Sequence, residues 1–525
     1  MSRGLWRSVA VVSGGTTLSR LLGFVREILM ATFFGTELAK SAFDVAFKIP
    51  NLFRRLFGEG ALSAGFVPVF TETLEKEGRE EAQRLASRMI SLLGAFLAAL
   101  VLIGIAGTFA AERLLVLGPK AAAVMPLLRI MLPYTLFICL VAMCMGMLNS
   151  TGHFAVPALT PVLLNLFWIA ALLFICPHLG IDPGVQIYGV AWAVVLAGVA
   201  QLLIQFPALY RRGVRLRLTW RWRDARVRKI LWLVGPAALG MGVHQVNVVI
   251  DGVLALYVGT WAPAAMTYAE RLIYLPLGII ATALGTVLLP TFSRQAATGS
   301  HDVLRKTLRQ SLERVSIVMA PAAAGLIILA TAVVQLVYVW KGGRFDGQST
   351  TYTVRALAFY APGLLVFSWY KILVPAFYAL NDTRTPVRIG LLAVALNLVL
   401  NLVCVFTWPD GYQHAGLAFS TVFASLANCV ALATLLHRRI GNPGWGRLAG
   451  VLLRTLVGVA LMAVVVHGVH GLLLRVVAFG PEKLMHAAAL LVAIAVGMVV
   501  YGMLSMFLFR DETLVILRAA RRDRA

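Results

Sequence analysis

Five polar residues in one apolar segment are spaced so that a helix places them on a single face. They follow one another at intervals of 4, 3, 4 and 4 residues and are Asp44, Lys48, Asn51, Arg55 and Glu59. Asp44 with Lys48, and Arg55 with Glu59, stand four residues apart, where opposite charges attract on a helix. Pro50 and two glycines are expected to distort this helix, which is tolerated where backbone lines a polar path.

Cations outnumber carboxylates around this stripe. The preceding apolar segment holds Arg20, Arg26 and Glu27, and Arg54 stands beside Arg55. Charge inside a membrane is costly and therefore indicates function. The planar fork of arginine N–H groups suits phosphate or carboxylate, so the pattern predicts an anion site that fits a diphosphate. The structural alternative is that single arginines form ion pairs or extend to the membrane interface.

The segments that must position these charges are almost all apolar. The chain has 525 residues, of which 60% are hydrophobic and 13% charged, against about 25% charged in soluble domains. Apolar runs of about 20 residues, each long enough to cross a bilayer, recur along its length. We predict an all-α polytopic membrane protein with about 14 transmembrane helices. The predicted spans lie near 8–34, 42–70, 89–110, 124–148, 157–176, 186–210, 230–258, 264–290, 313–339, 353–379, 386–407, 414–436, 448–469 and 485–509.

The distribution of Lys and Arg predicts the orientation. Most of those outside the spans fall in one alternating set of connections, with nine in residues 211–229, whereas the opposite set holds few, among them Lys40. The positive-inside rule then places both termini in the cytoplasm. The net charge of +24 would suggest nucleic acid in a soluble protein. Here we expect the basic loop to contact anionic lipid headgroups instead, and no nucleic-acid partner.

Short matches at a nearly constant offset indicate an internal duplication. They pair Gly35-Thr36 with Gly259-Thr260, 67–70 with 289–292, 148–151 with 380–383, and 189–191 with 416–418. Six spans per copy make both copies insert the same way up, as in two parallel-repeat transporter lobes around a central cavity. The predicted organisation is an N-terminal lobe (1–212), a basic cytoplasmic linker (213–229), a C-terminal lobe (230–440), and two extra C-terminal helices with a basic cytoplasmic tail (441–525).

The second copy carries a different set of polar residues. Asn247 and Asp251 stand four apart on span 7, Asn397 and Asn401 four apart on span 11, and Thr421 lies on span 12. A carboxylate with amide and hydroxyl oxygens suits a small cation such as Na⁺. Hydrogen bonding between helices, without any ion, explains the same residues.

Sequence signatures of built-in catalysis are missing. There is no GxxxxGK[ST], HExxH or GxSxG pattern, and the connections are too short for a catalytic domain. The chain is therefore predicted to be a transporter and not an enzyme. An intramembrane enzyme with carboxylates on its outer loops is the weaker alternative.

Four stretches of the sequence resemble the MurJ/MviN family of lipid II flippases, part of the multidrug/oligosaccharidyl-lipid/polysaccharide exporter superfamily. They are SRLLGFVREILMATFFG, AFKIPNLFRRLFGEGALSAGFVPVF, YAERL with ALGTVLLP, and LNDTRTPV. The resemblance extends over nearly the whole chain. It implies a multi-pass protein of the bacterial cytoplasmic membrane that moves lipid II, an undecaprenyl-diphosphate-linked glycopeptide, from the inner to the outer leaflet.

The resemblance also implies site residues. Arginines of the family's cavity match Arg20, Arg26, Arg54 beside Arg55, and Arg271, and the extra spans 13 and 14 would form a groove for the polyprenyl tail. In some members the second lobe binds sodium. The predicted sodium ligands are Asp251, Asn397, Asn401 and Thr421. The predicted substrate-binding residues are Arg20, Arg26, Arg54, Arg55, Arg271, Lys48, Asp44 and Glu59.

This sequence departs from the family pattern at two positions. Many relatives have an acidic residue where this chain has Ser41, and Asp44 one turn later is a candidate replacement. Some have a carboxylate where this chain has Tyr274. The stripe favours Arg55 as the residue that faces the substrate, whereas the resemblance favours Arg54, so both are retained.

The expected mechanism is alternating access driven by the membrane potential or an ion gradient. No cofactor is required, Na⁺ is a candidate coupling ion, and the protein is expected to be a monomer beside the cell-wall synthesis machinery. Export of small cationic or amphipathic drugs is an alternative, although a drug cavity of that kind would be aromatic or acidic. A scaffold role without transport is a third.

Overall fold

The computed structural model describes residues 3–219, 224–297, 301–476 and 482–509, and the regular secondary structure in these ranges is helical. Apart from short π-helical and 3₁₀ turns, it consists of eighteen α-helices. They are α1 (Arg3–Phe34), α2 (Leu38–Phe53), α3 (Leu62–Lys76), α4 (Arg79–Leu114), α5 (Pro119–Ser150), α6 (Ala155–Ala170), α7 (Pro183–Leu203), α8 (Gln205–Arg211), α9 (Ala225–Val258), α10 (Ala262–Ala297), α11 (His301–Ile328), α12 (Ala330–Tyr338), α13 (Gly347–Tyr360), α14 (Gly363–Ala379), α15 (Arg384–Thr407), α16 (Gln413–Ile440), α17 (Trp445–Val476) and α18 (Glu482–Leu508).

Each predicted span overlaps one or more of these helices, so the all-helical prediction is confirmed. Within the described ranges, nine helical segments are long and apolar enough to cross a bilayer, or ten if the bent pair α13 and α14 forms one span. Helix α1, which carries Arg20, Arg26 and Glu27, is not among them. The chain is thus a multi-pass membrane protein, while the count of fourteen spans stays a prediction. The predicted basic tail beyond residue 509 lies outside the described residues.

The chain divides into two compact units, and the N-terminal unit comprises residues 1–264 with 340–345. Helix α5 lies at its centre and packs against α2, α4 and α7, while α1 packs along α6. The core between these helices is apolar and aromatic, and Phe43, Met131 and Tyr134 are fully buried in it. The lobes predicted from the internal repeat, 1–212 and 230–440, divide the chain at other positions than these units, and those boundaries stay a prediction.

A glycine ends α1 where a second segment of the same unit crosses it. Gly35 has φ of +51°, and a Cβ at this position would lie 2.4 Å from the Arg344 carbonyl oxygen. The Arg344 amide donates to the Thr32 carbonyl at 2.9 Å, and its guanidinium lies 3.2 Å from the Glu37 carboxylate. Only glycine combines this backbone conformation with such a close approach.

Within the described part of the basic connection 211–229, Arg226 and Lys229 are held by carboxylates of the N-terminal unit. Arg226 lies 2.6 Å from Glu77 and also contacts Asp224, and Lys229 lies 3.1 Å from Glu72. For these two cations, ion pairs within the protein replace the predicted contact with lipid headgroups. Burial acts to raise the pKa of Asp224, but hydrogen bonds from Arg226 outweigh it and hold that pKa below the ordinary value.

The C-terminal unit comprises residues 265–339 and 346–525. Helix α11 packs against α14 and α17, α16 against α14 and α15, and α17 against α18. The LNDTRTPV stretch forms the turn before α15 and the first residues of that helix. In that turn Asn381 has φ of +58°, and Asp382 accepts hydrogen bonds from the Thr385 hydroxyl at 2.7 Å and the Thr385 amide at 3.0 Å. Arg439, in the last turn of α16, pairs with the same carboxylate.

Candidate functional site

Arg26, the predicted cation on α1, is buried and held from three directions. Its guanidinium lies 2.6 Å from the Glu27 carboxylate and donates to Asn165 Oδ1 at 3.0 Å. The guanidinium carbon lies 4.2 Å from the centroid of the Trp168 ring. Side-chain exposure is 8% for Arg26 and 4% for Glu27. A buried charge needs such partners, because an isolated one would cost several kcal/mol.

The residues that hold Arg26 are themselves fixed by neighbours. Asn165 Nδ2 donates to the Ser19 carbonyl at 2.9 Å, which ties α6 to α1. The Trp168 ring meets Phe43 and Phe47 edge to face, with centroids 5.1 and 5.5 Å apart. Helix α6 therefore positions the arginine of α1. Trp168 was missing from the predicted site, and a tryptophan in an apolar span gives no sequence signal for such a role.

On α2, Asp44 is paired with Lys40 at 2.6 Å, and Lys40 is 1% exposed. The sequence prediction placed Lys40 in an outer loop and offered Lys48 as the partner of Asp44. The placement of Lys40 is wrong because α2 begins at Leu38, one turn earlier than the predicted span. The spacing of four residues between Lys40 and Asp44 was the sequence signal that could have revealed the pair.

Lys48 lies one turn beyond Asp44 and packs on the backbone of α9. A Cβ at Gly252 would lie 2.8 Å from both Lys48 Nζ and Cδ, so the lysine stem occupies the space that this glycine leaves. The adjacent Asp251 accepts a hydrogen bond from Asn247 at 3.4 Å, as its predicted spacing suggested. Lys48 is half-buried.

The stripe does not continue on a regular α-helix. Residues Arg54–Ala61 form a π-helix, so the predicted distortion is confirmed. Its longer turn changes the register on which the placement of Arg55 and Glu59 rested. Arg54 Nε donates to Asn51 Oδ1 at 2.8 Å, which joins Arg54 to the stripe through a residue three positions earlier. Arg55 is half-buried, and the Glu59 side chain lies outside the described residues.

A buried tyrosine of α5 packs against the aromatic residues around Arg26. Tyr134 on α5 is fully buried. Its ring centroid lies 6.1 Å from that of Phe47, an aromatic residue of α2. Phe47 also contacts Trp168, so the aromatic rings connect Tyr134 on α5 to the ring that faces Arg26.

The remaining predicted arginines are exposed. Arg20 lies on α1, six residues before Arg26, and Arg271 lies on α10 in the C-terminal unit. Beside Arg271, the Glu270 carboxylate accepts a hydrogen bond from the Tyr360 hydroxyl at 3.1 Å. Tyr274, one of the two departures from the family pattern, is exposed on the same helix.

The predicted sodium ligands fall in both units: Asp251 belongs to the N-terminal unit and the other three to the C-terminal unit. Asn397 and Asn401 are buried on α15, and Asn401 Nδ2 donates to Asn397 Oδ1 at 3.1 Å. The Thr421 hydroxyl donates to the Leu417 carbonyl at 3.0 Å, which leaves its oxygen lone pairs available. Amide and hydroxyl oxygens of this kind fit a hard cation. Among the described residues, no cluster of three His, Cys, Asp or Glu side chains could hold a metal.

Comparison with known proteins gives a consistent result. The family described as lipid II flippase MurJ matches residues 30–484. The lipid II flippase MurJ of Burkholderia cenocepacia is 36% identical over 455 residues, covering 84% of this chain and 86% of that protein. The probable lipid II flippase MurJ of Vibrio cholerae serotype O1 is 35% identical over 449 residues, covering 83% of this chain and 84% of its own.

Solved structures share the fold at lower identity. A lipid II flippase MurJ in an inward closed conformation has a TM-score of 0.75 and 23% identity, covering 95% of this chain and 99% of that one. An inward-facing multidrug resistance MATE family transporter of the MOP superfamily has a TM-score of 0.67 and 14% identity, covering 83% of this chain and 98% of that one. On the strength of the family match and of relatives more than 30% identical over most of its length, this chain belongs to the lipid II flippase MurJ family.

Proposed function

We propose that this protein is a lipid II flippase, which carries the undecaprenyl-diphosphate-linked peptidoglycan precursor from the inner to the outer leaflet. Family membership and the names of its relatives support this substrate. Its task is transport and not the making or breaking of covalent bonds. The drug-export alternative is less well supported, because the likeness to a MATE transporter is one of fold.

The observation that carries the proposal is the buried Arg26 with its supports, Glu27, Asn165 and Trp168. Glu27 compensates the Arg26 charge, and the burial of both side chains means that the remaining field of the pair is screened less than on a surface. Lys48, Arg54 and Arg55 add half-buried positive charge in the same unit. Such a set favours a diphosphate over a neutral or cationic ligand.

The location and arrangement are also proposed. The protein lies in the bacterial cytoplasmic membrane with both termini in the cytoplasm, because the basic connections alternate with connections that have few cations. Fourteen spans form two six-helix lobes around a central cavity, with α17 and α18 as additions. We propose a monomer that works beside the cell-wall synthesis machinery.

Transport follows from alternating exposure of the arginine-rich surface. The diphosphate and headgroup bind to the substrate-binding residues named above, while the polyprenyl tail stays in lipid. A membrane potential that is negative inside helps to expel an anion by about 2.3 kcal/mol per charge per 100 mV. The same potential draws the empty, positively charged surface back toward the cytoplasm, so no nucleotide is needed.

Sodium is proposed as a coupling ion. Asn397, Asn401, Thr421 and Asp251 would supply its oxygen ligands, and the bound ion would add positive charge to the transport cycle. If sodium couples, then replacing it with potassium at constant membrane potential lowers lipid II export. Equal export in the two salts would assign the drive to the potential alone.

The direct test is depletion of this protein in its host with an assay of lipid II in the outer leaflet. We expect outward lipid II to fall, and to be restored by the wild-type chain but not by Arg26→Ala. The matched control is Arg454→Ala, which removes an exposed arginine of α17. Unchanged outward lipid II after depletion would overturn the proposed substrate. Full restoration by Arg26→Ala at normal protein level would overturn the proposed site.

A further inference from the structure

A cavity of about 390 Å³ lies within the C-terminal unit among α11, α14, α16 and α17. Its walls are largely apolar, with Leu312 on α11, Leu373 on α14 and Leu448 on α17. It follows the end of α16 from Cys429 to His437, a distance of about 12 Å along the helix axis. We name this cavity the α16 slot. Its length and apolar walls suit part of one extended acyl chain.

Polar and aromatic groups mark one end of the slot. His437 lies in the last turn of α16 and Trp445 in the first turn of α17, and both line the slot. The connection between these helices belongs to the basic set that the sequence assigns to the cytoplasmic side. Tryptophan is enriched where a membrane meets water. The slot therefore runs from the interface into the hydrocarbon region, as an acyl chain does.

Positive charge prevails at this end. Arg438 is exposed beside His437, and the Arg447 side chain is 58% exposed. Arg447 contacts the carboxylate of Glu313, which is 1% exposed and lies 3.3 Å from Arg309 Nε and 3.7 Å from Arg447 Nε. One buried carboxylate is thus shared between two arginines, and Arg438 adds a further cation. The balance favours an anionic headgroup.

The slot differs from the groove that the family resemblance implies for the polyprenyl tail. That groove is expected between spans 13 and 14, which correspond to α17 and α18. The described residues that line the slot come from α11, α14, α16 and α17, without a contribution from α18. The slot is therefore a separate candidate site. Lipid binding there requires only that the protein lies in a membrane.

We propose that the α16 slot binds one acyl chain of an anionic membrane phospholipid, with the lipid phosphate at Arg438 and Arg447. The acyl chain packs against the apolar lining of the slot in place of neighbouring lipid tails. The two guanidinium groups attract a negatively charged headgroup. The proposal does not rest on lipid II transport, so failure of either leaves the other testable.

The test uses the full-length protein reconstituted in vesicles of equal parts phosphatidylglycerol and phosphatidylcholine. After gentle detergent extraction, native mass spectrometry counts the lipids that stay bound. We expect the wild type to retain phosphatidylglycerol in preference to phosphatidylcholine. Arg438→Gln should weaken this preference about fivefold, since one interfacial cation contributes about 1 kcal/mol. The matched control Arg388→Gln, an exposed arginine in the first turns of α15, should retain the preference.

A second variant tests the chain-binding wall. Ala433 lines the slot, and Ala433→Phe should fill it and remove the retained lipid whatever its headgroup. Because Arg438→Gln changes only an exposed position, it remains informative if Ala433→Phe fails to fold. Equal retention of the two lipids by the wild type would overturn the proposal, as would an unchanged preference in Arg438→Gln. Displacement of phosphatidylglycerol by an equal amount of undecaprenyl phosphate would assign the slot to a polyprenyl chain instead.

Discussion

The Arg26 guanidinium carbon lies 4.2 Å from the centroid of the Trp168 ring, and the two residues are separated by 142 positions in the chain. The ring faces a cation that Glu27 and Asn165 hold from other directions. Such a contact contributes about 2 kcal/mol when it is removed from water. The geometry makes Trp168 a positioning residue for Arg26.

Replacing Trp168 should therefore impair transport through Arg26. We expect Trp168→Leu to lower outward lipid II flux about tenfold when it is the only copy in the cell, as a loss of 1.4 kcal/mol in positioning would do. Trp168→Phe keeps a weaker aromatic face and should give an intermediate flux. Wild-type flux in Trp168→Leu at equal protein level would contradict this role.

Removing one partner of the buried ion pair Lys40–Asp44 on α2 should destabilise the protein more than removing both. Asp44→Asn leaves Lys40 buried without its carboxylate, which costs about 3–5 kcal/mol, so we expect a clear fall in the thermal midpoint of the purified protein. Replacing both residues, Lys40→Met with Asp44→Leu, should recover much of that loss. The control is Glu72→Gln at an exposed ion pair, where a change within about 0.5 kcal/mol is expected. If the single and double variants lose the same amount of thermal stability, the unpaired charge of Lys40 is not the cause of the loss.

Gly252 gives a way to move Lys48 without deleting it. Gly252→Ala places a methyl group 2.8 Å from Lys48 Nζ and Cδ, and the flexible lysine end must swing aside. We expect outward lipid II flux to fall about threefold, with stability changed by less than about 1 kcal/mol because alanine favours the helix. Gly235→Ala on the same helix meets no atom within 4 Å and serves as the control. Equal flux in the two variants would exclude a role for the Lys48 position.

Asp382 should make stability depend on pH. Hydrogen bonds from the Thr385 side chain and backbone lower the pKa of Asp382, and the pair with Arg439 lowers it further. Since the folded pKa lies below the unfolded value of about 3.9, its contribution is complete above that value. The contribution is lost as the pH falls through the folded pKa.

We therefore expect Asp382→Ala to cost about 1–2 kcal/mol at pH 7, as the loss of a helix cap does. The gap between wild type and variant should close as the pH drops below about 4. Denaturation of the purified proteins at neutral and acidic pH measures both effects, with Glu75→Ala at an exposed position as the control. A gap that is independent of pH would mean that the Asp382 charge contributes nothing.

The helices and the concentration of charge near the N-terminus follow from the sequence itself. Backbone N–H and C=O groups in a long apolar run find no water in a bilayer, so they must hydrogen-bond to one another within a helix. Arg26, Arg54 and Lys48 were recognised because charge in an apolar run is costly and therefore conspicuous. The distortion beyond Pro50 was also predictable, since proline and paired glycines weaken a helix at their own positions.

The partners of these charges were decided by the tertiary structure. Asn165 and Trp168 reach Arg26 from another helix, and no local spacing rule links residues so far apart in the chain. The π-helix at Arg54–Ala61 altered a register that a regular helix would have kept, so the stripe could not be extended by counting. Lys40 was predicted to lie in a connection because the predicted span began at residue 42. Helix α2 begins at Leu38, which places Lys40 on the same helical face as Asp44, so here the helix boundary and not a distant contact decided the partner.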